Sequence, residues 1–225
     1  MKGTIVNFAA IFIAGFLGLV VKGGIPQKVN TTIMNAVALA VVIIGLSGSL
    51  KVQNTLLMVI SLSVGALLGE IIDIENHINL LANKIEIRFT SLGNSNFSQG
   101  FIVSTLLFCV GSMAIVGSLN SGLSGDHELL YTKSVLDGIS SFLLASTLGV
   151  GVIFSSLSVL IYQGIITLSA SMISSLLSTT VISEVSAVGS ILIMALGFNM
   201  LGITKIKVAN ILPSLLVPVL YLVLF

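Results

Sequence analysis

GISSFLLASTLGVGVIFSSLSVLIYQGIITLSASMISSLLSTTVIS, residues 138–183, carries no charged side chain. At about 1.5 Å of rise per residue it is roughly twice the length one bilayer crossing needs. It therefore reads as two spanning helices, with a break expected near Ser155-Ser156. That division sets the architecture, because charges elsewhere already mark out the other runs. Thr4 to Val21 ends at Lys22 and the turn signal Gly23-Gly24-Ile25-Pro26, Ile33 to Leu50 ends at Lys51, and Thr55 to Gly69 ends at Glu70. Phe97 to Ser118, Val185 to Ile203 and Val208 to Phe225 complete the set. Hydrocarbon offers no partner to a backbone amide, so each run must be a helix. The expected fold is an all-α polytopic transmembrane bundle of about eight spans.

Composition agrees. Of 225 residues, 56% are hydrophobic and 8% charged, against about a quarter charged in soluble domains. Such a chain cannot cover itself with a water-facing surface. The net charge of +1 gives no reason to expect nucleic acid. Met1-Lys2 followed by an apolar run resembles a secretory leader, but no small-x-small pattern closes it, so a retained first span is expected. The expectation is one multi-pass domain in the cell inner (plasma) membrane, with the bilayer as partner and a homodimer as its assembly. Its parts are a first helical unit (1–70), a polar connection (71–96), central spans (97–154) and a second helical unit (155–225). Lys22, Lys28, Lys84, Arg88, Lys205 and Lys207 outnumber Lys2, Lys51 and Lys133, which favours the first set in the cytoplasm and both termini outside.

In the polar connection Ile71, Ile74, Ile78, Leu81 and Ile85 recur at helical spacing, with Asp73, Glu75, Asn76, Asn79, Asn83 and Glu86 opposite. Its acidic polar face is unlike that of a lipid-surface helix. Thr31-Thr32-Ile33, Ala36-Val37 and Lys51-Val52-Gln53-Asn54 recur as Thr179-Thr180-Val181, Ala187-Val188 and Lys207-Val208-Ala209-Asn210. The match pairs spans two and three with seven and eight, and an odd number of crossings separates the copies. An inverted repeat, spans 1–3 against 6–8, is the architecture this predicts. Chance likeness between Ile/Leu/Val/Ala-rich helices is the competing explanation.

Chemistry is concentrated between Gly111 and Asp137. Gly111, Gly117, Gly122 and Gly125 alternate with Ser112, Ser118, Asn120 and Ser121. Glycine disfavours helix, so this segment predicts an unwound or sharply turned end. Freed backbone groups and hydroxyls there could replace a solute's hydration shell, whereas the plainer reading is a Gly/Ser loop outside the bilayer. Asp126, Lys133 and Asp137 follow, with Lys133 and Asp137 four apart and able to pair on a helix. An acid at the head of a span is a candidate proton or cation ligand. Glu70, Glu184 and Asn199 lie at or in other spans as further candidates. Glu184 also fits an ordinary helix N-terminus, and Asn199 fits helix–helix hydrogen bonding. Pro213 and Pro218 should disturb the last span.

Enzymatic readings fare poorly. His77 and His127 are the two histidines and Cys109 the single cysteine, so no zinc or cysteine-based metal set and no serine–histidine hydrolase is expected. No cofactor is expected either.

These same residues carry a family resemblance. Gly111-Ser112, Gly117-Ser-Leu-Asn-Ser-Gly-Leu-Ser-Gly-Asp126, Lys133-Ser-Val-Leu-Asp-Gly138, Ala145-Ser-Thr-Leu-Gly149, Glu184-Val-Ser-Ala-Val-Gly189 and Lys205-Ile-Lys-Val-Ala-Asn-Ile-Leu-Pro213 resemble the bacterial membrane family called domain of unknown function 554. Gly65 to Glu70 with Glu75 adds an earlier segment. The likeness spans the chain, and Ser190 departs from it where the family often has a second glycine. It implies a membrane protein and, in the family's general description, transport. The functional expectation is a carrier of a small solute or ion. An oligomeric channel and a non-transporting scaffold are the alternatives.

Overall fold

A computed structural model describes residues 1–22, 26–80, 97–174 and 177–224. The described residues are helical throughout. In chain order the helices are α1 (Lys2–Lys22), α2 (Gln27–Ser49), α3 (Thr55–Ile72), a short helical stretch at 74–80, α4 (Phe97–Cys109), α5 (Ser112–Leu123), α6 (Glu128–Leu148), α7 (Gly151–Leu168), α8 (Ala170–Ile173), α9 (Thr179–Met200), α10 (Val208–Ile211) and α11 (Leu216–Leu224). A 3₁₀ turn, Leu212–Leu215, joins the last two. Pro213 sits in that turn and Pro218 in the first turn of α11, where a missing amide donor costs little. The part of the polar connection beyond Leu80, with Asn83 and Glu86, lies outside the described residues.

Among the described residues five helices are long and apolar enough to cross a membrane, and the bent pair α4–α5 makes a sixth. The expected count of eight is not reached. The helix α6, which carries Lys133 and Asp137, is not among the five, and 208–221 is too short. The break in the uncharged interval also lies elsewhere, at Gly149-Val150. Gly149 adopts φ +88, a conformation closed to other residues. Ser155 and Ser156 stay helical because each hydroxyl donates to a carbonyl three residues back, Val152 and Ile153, at 2.6 Å.

The chain forms two compact units that interleave along the sequence, residues 1–34 with 81–173 and residues 35–80 with 174–225. In the first, α1 buries a stripe at helical spacing: Gly3, Thr4, Asn7, Ile11, Gly15 and Gly18. Its other face exposes Ile5, Phe12, Ile13, Phe16 and Val20, the apolar surface a lipid-facing helix needs. Contacts between α1 and α6 rise together, Gly3 at Leu130, Asn7 at Asp137 and Gly18 at Phe142, so these helices are parallel. Against α7 they run oppositely, Thr4 at Thr167 and Gly15 at Ile153. The pair α5–α6 is an antiparallel hairpin, with Gly117 on Leu130 and Ser121 on His127.

In the second unit α2 and α9 cross antiparallel, with Gly48 at Ser190, Gly45 at Met194 and Gly197 at Val42. The same sense relates α3 to the 208–215 segment, Gly65 at Ser214 and Gly69 at Asn210. Small residues let backbones touch where lipid supplies no hydrophobic drive. Asn54 caps α3 by accepting the Leu57 amide, and Ser178 caps α9 through Val181.

A Cβ on Gly69 would fall on the carbonyl of Asn210, whereas one on Gly164 would meet only the flexible end of Met1 at 3.8 Å. Gly69→Ala should therefore cost about 1–3 kcal/mol through overpacking. Gly164→Ala should be neutral or stabilising by up to about 1 kcal/mol. Melting of the detergent-solubilised variants separates the two.

Candidate functional site

Polar side chains from α1, α5, α6 and α7 meet inside the first unit. Lys133 and Asp137 are both buried, and Nζ sits 2.8 Å from each Asp137 oxygen. Asn7 donates its amide to Asp137 Oδ2 at 3.0 Å. Both carboxylate oxygens are thus engaged by groups that favour the ion. Because a carboxylate only accepts, the Asn7 nitrogen must face Asp137, and Asn7 Oδ1 must face away.

Several buried atoms of the first unit lack a hydrogen-bond partner among the described residues: Asn7 Oδ1, Thr105 Oγ1, Ser118 Oγ, and both Gln163 Oε1 and Nε2. Asn7, Ser118 and Gln163 are 0% exposed. The register of the helices brings Asn7 and Gln163 to one level. Thr4 and Thr167 meet at 3.4 Å across the antiparallel α1–α7 seam. Asn7 is one turn along α1 from Thr4, and Gln163 one turn back from Thr167, so the two amides lie at matching height on facing sides. Gly122 of α5 packs on Thr167 and Ala170. The helix α5 opposes α6, α6 parallels α1 and α1 opposes α7, so α5 parallels α7. Ser118 follows Gly117, which packs on Leu130 at the level of Gly3, so it lies about one turn from the level of Asn7 and Gln163. Cys109, at the end of α4, lies within electrostatic reach of Lys133 and Asp137, and Tyr162 within reach of Cys109. Buried polar groups are normally hydrogen-bonded, so the unpaired atoms of Asn7 and Gln163 beside the ion pair make this level the candidate site. The layer lies roughly 8 Å in from the start of α1 and the end of α7. A groove of about 540 Å³ on the α1–α6 seam, lined by Ala10, Ile13, Gly138 and Ile139, is apolar except for Ser134.

Of the residues expected from sequence, Lys133 and Asp137 lie in this layer, and Ser118 lies about one turn from it. Asn7 and Gln163 were not anticipated, although each is an amide in a charge-free run. The Gly/Ser-rich segment is not unwound along its length. The chain breaks at Val110-Gly111, bends by 57° between α4 and α5, and is helical again to Leu123. Gly117 and Gly122 serve close packing, and Gly125, at φ +68, makes the turn into α6. The Ser112 side chain lies outside the described ones. Asn120 is half-buried, and its carbonyl accepts from the Ser124 hydroxyl at 2.9 Å. Ser121 bonds His127 Nδ1 at 2.9 Å, and exposed Asp126 accepts from the Glu128 amide at 3.0 Å, so both hold the α5–α6 turn.

Glu70, Glu184 and Asn199 belong to the second unit. Glu184, 1% exposed, accepts the Gln53 and Asn54 amides through Oε1 at 3.0 and 2.9 Å, fixing the α2–α3 turn. Glu70 takes Lys207 Nζ and Asn210 Nδ2, each at 2.6 Å, while Asn210 Oδ1 accepts the Glu75 amide at 2.7 Å. Asn199 Oδ1 accepts from Thr204 Oγ1 and the Ile206 amide. Bonded to Glu70, the Lys207 ammonium is held above its ordinary pKa, while burial pushes the Glu75 carboxyl up. No group of three or more His, Cys, Asp or Glu able to hold a metal occurs among the described residues.

The family profile "Protein of unknown function (DUF554)" matches residues 2–223. The chain belongs to that family. Two relatives bracket DUF554 similarity. The uncharacterized membrane protein YdfK of Bacillus subtilis (strain 168) is 38% identical over 222 residues, covering 97% of this chain and 94% of the relative. The uncharacterized protein YqgA of Escherichia coli (strain K12) is 31% identical over 218 residues, covering 95% and 93%. No solved structure matches significantly. The DUF554 assignment and the apolar helices together establish a helical membrane protein.

Two measurements probe the charges. Lys133→Met leaves Asp137 buried and unpaired and should cost about 3–5 kcal/mol. Adding Asp137→Asn should recover part of that loss, and a double variant less stable than Lys133→Met would contradict the pairing. Glu75 releases its proton at higher pH in the folded than in the unfolded chain, so its ionisation opposes folding above that pH. Glu75→Gln should therefore raise the melting temperature at pH 7, and the gain should vanish below about pH 4, where both states are protonated.

Proposed function

We propose that this protein is a transporter of a small solute or ion, with its site in the polar layer of the first unit. The observation carrying this reading is the set of fully buried, unpartnered polar atoms on Asn7 and Gln163 beside the Lys133–Asp137 pair, with Ser118 about one turn away. In a membrane interior such groups are costly and mark solute paths. The α4–α5 break at Gly111 supports it, since a Cβ there would meet no atom within 4 Å, and irregular backbone at membrane depth is tolerated beside a wet cavity.

The finer architecture belongs to the same proposal. Counting α6 and the 208–224 segment as crossings returns eight spans. The segments with the recurring Thr-Thr and Lys-Val-x-Asn patterns, α2–α3 and α9–α11, pack antiparallel within the second unit, which supports an inverted repeat there. We place the protein in the cell inner membrane as a homodimer with no enzymatic role.

The test uses proteoliposomes and the single cysteine. Uptake of a solute or ion down its gradient should saturate, and Asp137→Asn should abolish it. Cys109 should be alkylated by small water-soluble thiol reagents in the folded protein, faster than by bulky ones. Unsaturating single-channel currents would replace the carrier with a channel. Absence of flux across a broad panel, with Cys109 inert, would overturn the proposal.

A further inference from the structure

We infer that the layer recognises a small uncharged solute whose hydrogen-bond donor and acceptor are adjacent, of the carboxamide or urea class. This rests on the transport reading. The argument begins with charge. Lys133 and Asp137 cancel, and both Asp137 oxygens are occupied by Lys133 and Asn7. A cation would have to displace Lys133 from its carboxylate, and an anion would have to displace Asp137 from its ammonium. Either exchange strands a buried charge. A solute without net charge leaves the pair intact.

The unpartnered atoms then describe the complement. Gln163 has its carbonyl and its NH₂ both unengaged and is 0% exposed. One primary amide pairs with another edge to edge through two parallel hydrogen bonds, N–H to O in each direction. Asp137 has fixed the orientation of Asn7, so Asn7 Oδ1 presents an acceptor and cannot offer its NH₂ instead. A carboxamide has two N–H donors and one carbonyl. One N–H and the carbonyl would meet Gln163, and the second N–H would meet Asn7 Oδ1. The unengaged atoms of Gln163 and Asn7 thus match the carbonyl and the two N–H donors of this class, with one Gln163 N–H left over. A zwitterion would bring two full charges to neutral partners, and a hydrocarbon would leave every one of these atoms unpaired.

The experiment is counterflow of radiolabelled acetamide in proteoliposomes containing the full chain, with urea, glycine, sodium, potassium and inorganic phosphate as competitors. Saturable acetamide flux that urea inhibits and the ions and glycine do not is the expected result. Gln163→Leu should abolish it, and the milder, shorter Gln163→Asn should raise the half-saturation concentration several-fold. Saturable flux of an ion or of glycine, with acetamide neither carried nor competing, overturns this inference and leaves the transport reading standing. No flux of any tested solute removes both. A folded Gln163→Leu protein that carries acetamide at the wild-type rate overturns the placement of the site.

Discussion

Asp137 is a buried carboxylate, and the first unit is arranged around satisfying it. Lys133, one turn earlier on α6, supplies the counter-charge, and Asn7, from the far end of the sequence, supplies the remaining donor. That one requirement fixes the register of α1 against α6 and determines which way the Asn7 amide points. The Thr4–Thr167 contact carries the register on to α7, and Gly122 carries it to α5. The polar layer is a consequence: once α1, α6 and α7 are set by these contacts, Gln163 arrives at the height of Asn7.

The second unit solves a different problem with similar means. Its helices approach through glycine, at Gly45, Gly48 and Gly197 on one crossing and Gly65 and Gly69 on the other. Its buried acid, Glu184, serves backbone amides of the α2–α3 turn. Both units therefore contain a deeply buried acid. In the first both carboxylate oxygens are engaged by side chains, and in the second Glu184 Oε1 anchors a turn while Oε2 has no hydrogen-bond partner among the described residues.

Much of the fold was legible because charge cannot hide in a membrane chain. Lys22 and Lys51 bounded helices close to where α1 and α2 end, whereas Glu184, expected at the head of a span, lies inside α9, which begins at Thr179. The joint inside the uncharged interval was not legible. Ser155-Ser156 looks like a break until it is known that serine hydroxyls can bond back to their own helix, and Gly149 looks like any other glycine until its φ is seen. Of the site, Lys133–Asp137 could be read from spacing alone. Asn7 and Gln163 could not be assigned to it, because nothing local says which face of one helix meets which face of another far away in sequence. Glu70 is engaged by Lys207 and Asn210, and Asn199 by the 204–206 loop, all within the second unit.

The Asn7–Asp137 bond joins residues 130 positions apart, and this has a consequence during synthesis. The first helix is complete when its amide partner has not yet been made. At about 5–20 residues per second the ribosome needs roughly 6–26 s to reach Asp137. Through that interval α1 must wait in the bilayer with a bare amide, or against some interim neighbour, before it can slot beside α6. The order of assembly is thus written into the contact: the N-terminal helix is the first to enter and among the last to dock.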